Sequence, residues 1–461
     1  MVQEKNEKPL LTVLHTSDWH LGRSLYGRRR YDEFEAFLSW LAETIRQRHV
    51  DVLLVSGDIF DTTTPSNRAQ ELYYRFLCEA AASDCRHVVI TAGNHDSPSF
   101  LEAPQALLKV MDIHVIGSIS DRPEDEVLVL RNSGGKPELI VCAVPYLRDR
   151  DIRLAEAGES LEDKERKLAA GIREHYAQVM SLALEEHQQL VAEKFQPTEQ
   201  TDADRENIHL PGSEHTPQLQ LTTQMHEQAD AAINDLPIIC MGHLFTAGGK
   251  TTDGDGVREL YVGSLAHVTA DIFSDRLAYV ALGHLHIAQR IGGTNHIRYC
   301  GSPLPMGFGE ARQQKCVCEI NVTSAGADVC QIQVPAFQTL EQISGDLTQI
   351  LAKIELLSKS STPVWLEIIY DGIDVVTDLR EKLESAVEGK NIEILRIKNN
   401  RLAERVLEPG RHDETLDDLT PADVFQRCLD AHQISQEQRP SLQQAYNETI
   451  AALIQEDTRA E

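Results

Sequence analysis

Short apolar runs recur along the first two thirds of the chain, and most of them end in polar or charged residues. The runs are continuous rather than alternating, which is typical of strands covered on both faces. Apolar residues at helical spacing lie between the first, second and third runs, and they predict amphipathic helices there. The six runs are LLTVLHTSD (10–18), VDVLLVSGD (50–58), RHVVITAGNHD (86–96), ELIVCAVPY (138–146), LPIICMGH (236–243) and LAYVALGH (277–284). Alternating strands and helices predict an α/β layered fold whose ligands bind at the strand ends.

The pattern changes twice further along the chain. A long charged helical stretch begins near residue 151, and residues 196–222 have neither a period nor much apolar content, which indicates an inserted loop. After residue 335 the chain reads as a small α+β unit. Its predicted elements are a helix (340–357), a strand (363–370), a helix (376–388) and a strand (391–399).

The last segment follows a charged linker and predicts two further amphipathic helices. Thr420, Pro421 and Asp423 are residues that favour the start of a helix. An apolar stripe then follows at Leu442, Tyr446, Ile450 and Leu453. We therefore divide the chain into a core domain (1–335) with a helical and polar insertion at about 151–235, a capping domain (336–400), and a linker with C-terminal helices (401–461).

Composition limits the class of protein. The 461 residues suffice for two or three domains, and 44 basic against 72 acidic side chains give a net charge of −28. This charge argues against a nucleic-acid partner unless local basic groups override it. The nine cysteines form no CxxC pair, and no secretory signal or apolar run of membrane-spanning length is evident. These features favour a cytoplasmic protein with reduced thiols.

The polar residues at the strand ends form an ordered set of oxygen and imidazole groups. Each alone is common at strand ends, but a series from five strand–loop junctions is improbable by chance. Such a mixture suits two borderline divalent ions such as manganese, iron or zinc. A glycine precedes four of the groups, where a sharp turn is needed. The set comprises Asp18, His20, Asp58, Asn94, His95, Asp96, His243, His284 and His286, and the glycines are Gly57, Gly93, Gly242 and Gly283.

The order DxH, GD, GNHD, GH and GHxH resembles the calcineurin-like metallophosphoesterases. The flanking sequences HTSDWHLG, GDIFDTTTPSNRA, TAGNHDS, VALGHLHIAQ and YCGSPLPMGF are similar to those of the SbcD family of bacterial nuclease subunits, and the similarity extends over nearly the whole chain. The resemblance implies a layered β-sandwich core with flanking helices, the small capping domain as a DNA-binding unit, and C-terminal helices that bind a partner.

The resemblance also implies a role for each residue of the set. Two manganese ions would activate a water molecule, with no covalent intermediate. His95 would face the phosphate without binding metal, and Asp96 would orient His95. The implied ligands are Asp18, His20 and His286 for one ion, Asn94, His243 and His284 for the other, and Asp58 as the bridge.

Four arginines directly after His20 are candidates for DNA contact. Arg23, Arg28, Arg29 and Arg30 alternate with tyrosines in GRSLYGRRRY, and such a cluster can contact phosphates beside the site. The alternative is a solvated stretch at the start of a helix.

The family implies DNA and an ATPase as partners. It predicts a complex of two SbcC and two SbcD subunits, an SbcD homodimer, and a nuclease that degrades duplex ends and cuts single strands or hairpins during DNA repair, recombination and replication. The homodimer surface is predicted at 66–82, with Leu72, Tyr73, Phe76 and Leu77, together with 100–111. The protein is expected at the bacterial nucleoid. Alternatives are a phosphomonoesterase or cyclic-nucleotide phosphodiesterase, and an inactive scaffold subunit.

Overall fold

The structure is a computed structural model. Contacts between residues divide the chain into two compact units, Met1–Gln338 and Thr339–Glu461. The structure describes residues 9–153, 159–194, 236–251, 268–323, 326–359, 362–372, 376, 378–399 and isolated positions between 425 and 446. The strands of the first unit are β1 (Leu11–Thr16), β2 (Ser24–Leu25), β3 (Arg28–Arg29), β4 (Val52–Ser56), β5 (His87–Thr91), β6 (Ile113–Ile116), β7 (Val127–Arg131), β8 (Pro137–Ala143), β9 (Ile238–His243), β10 (Tyr279–Gly283), β11 (Gln289–Arg290), β12 (Ile297–Tyr299), β13 (Cys316–Thr323) and β14 (Gly326–Gln333). Its helices are α1 (Tyr31–Arg48), α2 (Asn67–Ala81), α3 (Pro98–Glu102), α4 (Gln105–Lys109), α5 (Asp149–Ile152) and α6 (Leu161–Lys194).

Two six-stranded sheets form the centre of the first unit. Sheet 1 has the order β14-β13-β1-β4-β5-β6, and sheet 2 has the order β11-β12-β10-β9-β8-β7. β1, β4, β5 and β6 are parallel, as are β8, β9, β10 and β12. The carboxyl ends of β1, β4 and β5 in sheet 1, and of β9 and β10 in sheet 2, therefore lie at one edge of their sheets.

Alternate residues of each strand enter two different apolar layers. Val13, Leu54, Met241 and Ala281 belong to the cluster between the two sheets, whereas Leu53 packs toward α1 and α2. This arrangement explains the continuous apolar runs, since each strand is covered on both faces. The prediction of a layered β-sandwich with flanking helices is confirmed.

The helix α6 covers the outer face of sheet 2. Ile172, Tyr176 and Val179 pack in one buried cluster with Cys142 and Cys240 of the sheet. The helical part of the region predicted as an insertion is therefore a layer of the core, because without it this face of sheet 2 would be exposed. Residues 195–235, which contain the polar stretch 196–222, lie outside the described residues.

The second unit contains a three-stranded parallel sheet, and its strands alternate with helices. Its elements are β15 (Thr339–Gly345), α7 (Leu347–Leu357), β16 (Val364–Tyr370), α8 (Leu379–Val387) and β17 (Ile392–Asn399). The sequence pattern does not reveal β15, because TLEQISG has few apolar residues and reads as part of the following helix. That helix begins instead after Asp346, whose side chain accepts a hydrogen bond from the backbone of Gln349 in a capping box.

Only isolated positions of the C-terminal segment are described. The rings of Phe425 and Tyr446 stack with centroids 4.2 Å apart, and Leu429 is buried. Ile450 and Leu453 of the predicted stripe lie outside the described residues. Across the described part of the chain, no helix combines the length and the apolar character that crossing a membrane requires.

Candidate metal centre

The loops after five parallel strands bring the predicted polar set together. His243 is the last residue of β9 and pairs in register with Gly283 at the end of β10. The Ser56 hydroxyl donates to the carbonyl oxygen of Ala281 at 3.0 Å, and the Ser56 carbonyl oxygen lies 2.9 Å from His243 Nδ1. The two sheets therefore meet at this edge, and they bring side chains from both into one site.

Glycines are required where the loops approach one another. A Cβ atom on Gly93 would lie 2.1 Å from the Asp58 carboxylate, and one on Gly57 would lie 2.2 Å from the His243 ring. Gly57 also has a φ of +80°, a conformation that side chains disfavour. The glycines that precede the polar residues thus allow the close approach that the sequence predicted.

Four residues of the polar set have strained backbones. Asp18, His20, Asp58 and His284 have positive φ values of 54°, 48°, 50° and 105°. Residues other than glycine rarely adopt such values, and they persist where the surrounding structure holds them and where function requires them. Here the Asp18 and His20 amides donate to the carbonyl oxygens of Gly57 and Asp58, which locks the loops after β1 and β4 together.

The first group of ligand atoms comes from Asp18, His20 and His286. One ligand atom of each lies within 4.8 Å of the others, and all three side chains are buried. His20 Nε2 lies 3.2 Å from His286 Nε2 and 3.6 Å from Asp58 Oδ2. Asp18 is further held by Ser17, whose hydroxyl donates to Asp18 Oδ2 at 2.5 Å.

The second group surrounds the other side of Asp58. His243 Nε2 lies 3.4 Å from Asp58 Oδ2 and 3.1 Å from Asn94 Oδ1, and His284 Nδ1 lies 3.0 Å from the same Asn94 oxygen. One carboxylate oxygen of Asp58 therefore lies between His20 of the first group and His243 of the second. This oxygen is therefore close to both groups of ligand atoms.

The spacing of these atoms fits bound metal ions. Metal–nitrogen and metal–oxygen bonds of about 2.0–2.2 Å separate neighbouring ligand atoms by ~3.0–3.5 Å. The separations given above are close to this range, from 3.0 Å at His284 and Asn94 to 3.6 Å at His20 and Asp58. Imidazoles that face one another, and an amide oxygen that faces two of them, are the expected consequence of a shared cation. The donor set of nitrogen and oxygen atoms suits a borderline ion.

The buried carboxylates of the site stabilise positive charge on the groups around them. Burial opposes the charged imidazole of His243, but the Asp58 and Asp18 carboxylates raise its pKa to about 9. Burial would likewise raise the pKa of Asp58, but the imidazoles of His243, His20 and His95 hold it well below its usual range. The two carboxylates thus favour positive charge at this position.

The imidazoles of His20 and His284 are neutral, which is the form that binds metal. Burial lowers the pKa of His20 to about 4 despite the opposing effects of Asp61 and Asp58. Burial and the neighbouring His243 lower the pKa of His284 to about 3.

His95 is half-buried beside the site, and the carbonyl of Asp61 orients it. The His95 amide donates to Asp58 Oδ1 at 2.9 Å, and its ring Nδ1 lies 2.9 Å from the Asp61 carbonyl oxygen. Nδ1 therefore carries the proton, and Nε2 is the nitrogen left for another partner. The ring also packs edge-on against His20, with centroids 4.9 Å apart.

Asp96 has a different environment from the one predicted. Its buried carboxylate accepts hydrogen bonds from the backbone amides of Ile59, Phe60 and Gly93 at 3.1, 2.9 and 2.8 Å. It therefore holds the loops that carry Asp58 and His95, and the orientation of the His95 ring is set by Asp61 instead.

The sequence analysis missed two groups that support the ligands. Asp61, three residues after Asp58, lies 3.5 Å from His20 Nδ1, and GDIFD already contained it. Glu310 is buried with Oε1 3.6 Å from His286 Nδ1, and it pairs with Lys315. Nothing in GFGEARQQK indicated this role, because the contact depends on the packing of distant segments.

The four candidate arginines have different environments. Arg30 is buried, forms two hydrogen bonds with the Glu33 carboxylate and donates to the Pro305 carbonyl oxygen, so its assignment to DNA is wrong. Arg23 lies 3.3 Å from Asp61. Arg28 and Arg29 are exposed on β3, which a turn with positive φ at both central residues joins to β2.

The four residues predicted to form the dimer surface are also buried, so this prediction is corrected. Leu72, Tyr73, Phe76 and Leu77 are fully buried in the cluster between α2 and sheet 1, so they contribute nothing to a surface. The amphipathic face of α2 is accounted for by the core of this chain.

Comparison with known sequences agrees with this geometry. Residues 11–288 match the calcineurin-like phosphoesterase family, and residues 336–433 match the SbcD C-terminal family, described as the type 5 capsule protein repressor C-terminal domain. The SbcD subunit of the SbcCD nuclease of Escherichia coli strain K12 is 33% identical over 450 residues, 97% of this chain and 99% of its own length.

Two further relatives are SbcD subunits of the same nuclease in other bacteria. That of Rhodobacter capsulatus is 30% identical over 392 residues, 82% of this chain and 85% of its own length. That of Bacillus subtilis is 31% identical over 309 residues, 67% of this chain and 65% of its own length. The predicted resemblance is confirmed, and the phosphoesterase fold implies divalent metal ions. The chain belongs to the calcineurin-like phosphoesterases and, within them, to the SbcD family.

Proposed function

We propose that this chain is a DNA nuclease subunit that hydrolyses phosphodiester bonds with two divalent metal ions. The observation that carries the proposal is the position of Asp58 Oδ2 between two groups of ligand atoms, 3.6 Å from His20 Nε2 and 3.4 Å from His243 Nε2. The names of the relatives at 30–33% identity supply the nuclease activity. DNA repair, recombination and replication on the bacterial nucleoid are the processes that this activity would serve.

Seven side chains would hold the ions. Asp18, His20 and His286 would bind one, and Asn94, His243 and His284 the other, with Asp58 shared between them. When bound, two such ions would activate a water molecule for attack and would neutralise the charge of the phosphate during displacement. Manganese is the ion we propose, because imidazole and carboxylate ligands used together favour it over magnesium or calcium.

The remaining groups would position the substrate and move a proton. Water oxygen bonds to phosphorus, the bond to the sugar oxygen breaks, and that oxygen takes up a proton. His95 Nε2 is the candidate donor, because the Asp61 carbonyl oxygen engages Nδ1. In its protonated form the ring would also stabilise charge on the phosphate.

The function is tested by cleavage of linear and hairpin duplexes with manganese, with and without the ATPase partner. We expect the chain alone to cut single strands and hairpins, and the complex to degrade duplex ends when ATP is present. Hydrolysis of a phosphomonoester or a cyclic nucleotide with no cleavage of any DNA would contradict the proposal. The relatives do not favour these small substrates.

Arg28 and Arg29 are the arginines that we propose for phosphate contact. They lie on the β-hairpin formed by β2 and β3, and Tyr26 in its turn stacks on Phe308. Replacing both with serine should weaken DNA binding at every sequence. It should also reduce the slope of the logarithm of the binding constant against the logarithm of the salt concentration by about 1 for each lost contact. Fluorescence anisotropy at several salt concentrations measures both effects. Arg122→Ser, also at an exposed arginine, is the control. Equal slopes for the parent, the double variant and this control would exclude the β2–β3 hairpin from DNA contact.

We also propose a homodimer, but through α4. Leu107 and Val110 are 67% and 82% exposed beside the buried Leu108, so this short helix presents apolar surface to solvent. The double variant Leu107→Glu/Val110→Glu should be a monomer in analytical ultracentrifugation at micromolar concentration, whereas the parent should be a dimer. Leu356→Glu, at a residue of the second unit that is also 67% exposed, should leave the dimer intact. A monomeric parent would refute the proposal.

The C-terminal segment is our candidate for binding the ATPase SbcC, through an amphipathic helix laid into a groove. Deleting residues from 410 onward should abolish co-purification with SbcC and ATP-dependent degradation of duplex ends. Manganese-dependent cleavage of hairpins by the isolated chain should remain. Leu442→Glu should weaken co-purification less than the deletion does. Recovery of SbcC with the truncated chain at the parental yield would place the partner elsewhere.

The capping domain predicted at 336–400 is proposed to contribute to DNA binding. Its removal together with the tail should weaken DNA binding beyond the effect of the tail deletion alone. Equal DNA affinity of the two truncated chains would remove this unit from the DNA-binding surface.

A further inference from the structure

A second cluster of metal-binding side chains lies at the opposite end of sheet 1 from the candidate metal centre. His87 is the first residue of β5, and Asp112 and His114 lie at the start of β6. In the parallel register Val89 pairs with His114, so His87 and His114 project from the same face of the sheet. Asp112 directly precedes β6 and has a φ of 55°. One ligand atom of each of the three residues lies within 4.8 Å of the other two.

The hydrogen bonds of His87 leave one ring nitrogen with an unused lone pair. Nε2 lies 3.0 Å from the carbonyl oxygen of Arg131 and 3.4 Å from a carboxylate oxygen of Glu138. Both are acceptors, so Nε2 carries a proton, and in the neutral ring Nδ1 holds the lone pair. Nδ1 is buried and has no hydrogen-bond partner in the described part of the chain, and the residue is only 6% exposed. A buried lone pair without a donor is costly unless a cation uses it.

The Glu138 carboxylate that fixes this tautomer is itself fixed. Arg86 donates to its two oxygens at 3.0 and 2.8 Å, and the same guanidinium donates to Asp51 at 2.5 Å. Histidines that bind metal commonly donate their second N–H to a carboxylate or a backbone carbonyl. His87 has both of these acceptors.

The remaining two ligands lie toward solvent, where an ion can enter. Asp112 is exposed and His114 is half-buried, with its ring centroid 6.4 Å from that of His87. His114 also lines a cavity of about 790 Å³ whose other walls include Lys109 and the acidic segment 124–126. Burial lowers the pKa of His114, which favours the neutral ligand form.

We propose that His87, Asp112 and His114 form a third metal site, separate from the nuclease centre, for a borderline divalent ion of the zinc class. Two imidazoles and one carboxylate, with water as the fourth ligand, are a tetrahedral set of this class. His87 Nδ1 is the fixed ligand. The Asp112 and His114 side chains rotate inward to the ~3.3 Å separation between ligands that a tetrahedral zinc ion gives.

The test is the number of zinc ions retained by the full-length chain after equilibrium dialysis, measured by elemental analysis. His114→Gln should retain one ion fewer per chain than the parent, and His49→Gln, at an exposed histidine, should retain the parental number. His87→Gln should lose the same ion. With cobalt as the probe, the parent minus His114→Gln difference spectrum should show the absorption of a tetrahedral ion.

The result is independent of the nuclease centre, because it is a difference between two chains that share that centre. The same one-ion difference should appear when both chains also carry Asp58→Asn. Hairpin cleavage with manganese should be equal in the parent and His114→Gln. Equal zinc content in the parent, His87→Gln and His114→Gln would overturn the third site and leave the proposed nuclease unaffected.

Discussion

Replacing Asp58 with asparagine should reduce DNA cleavage below detection and remove most metal binding. The carboxylate lies between His20 and His243, at 3.6 and 3.4 Å, and the substitution removes the negative charge that both ions would share. Loss of a supporting group around a metal site typically costs about 10–100-fold in metal affinity, and loss of the bridge should cost more. Isothermal titration with manganese and a hairpin cleavage assay measure the two effects.

The fold should survive this substitution. The Asp58 carboxylate accepts the His95 amide at 2.9 Å, and the asparagine oxygen can accept it equally. Circular dichroism should therefore match the parent, and Asp84→Asn, at an exposed carboxylate, should retain both ions and full activity. Two bound manganese ions in Asp58→Asn would refute the bridging role.

Replacing His95 with asparagine should slow cleavage while leaving both ions bound. Its ring would act on the phosphate rather than on metal, and loss of a general acid or base typically costs roughly 10²–10⁴-fold in rate. Single-turnover hydrolysis with saturating manganese isolates this step. DNA affinity and manganese stoichiometry should be unchanged, which separates a chemical role from a structural one.

His49→Asn is the matched control for this variant. His49 is exposed at the end of α1 with a φ of 50°, a conformation that asparagine tolerates. This control should cleave at the parental rate. Turnover of His95→Asn near the parental rate with manganese would remove His95 from the mechanism.

The strand ends could be predicted from sequence because two independent signals coincide there. Continuous apolar runs give the strands, and the carboxyl ends of parallel strands meet at one edge of a sheet. Asp58 and Asn94, which follow β4 and β5, are therefore expected near each other despite their separation in sequence. The residues of the candidate metal centre could be predicted for the same reason, because each lies at or just after the end of such a strand. Their pairing into two sets comes from the family resemblance and stays a prediction.

Other features depend on packing that no local pattern encodes. Arg30 and Arg29 are neighbours in one basic run, but Arg30 turns inward to Glu33 whereas Arg29 stays exposed. The apolar face of α2 reads equally as a core face or a dimer surface, and only the position of sheet 1 decides. The contact of Glu310 with His286 joins two segments that carry no common motif.

The most direct test of the two-ion centre is a crystal structure of the full-length chain with manganese, with anomalous data collected at the manganese edge. We predict two anomalous peaks about 3.5–4 Å apart, one beside Asp18, His20 and His286 and the other beside Asn94, His243 and His284, with Asp58 between them. A single peak at this edge, or two peaks of which neither contacts Asp58, would contradict the account.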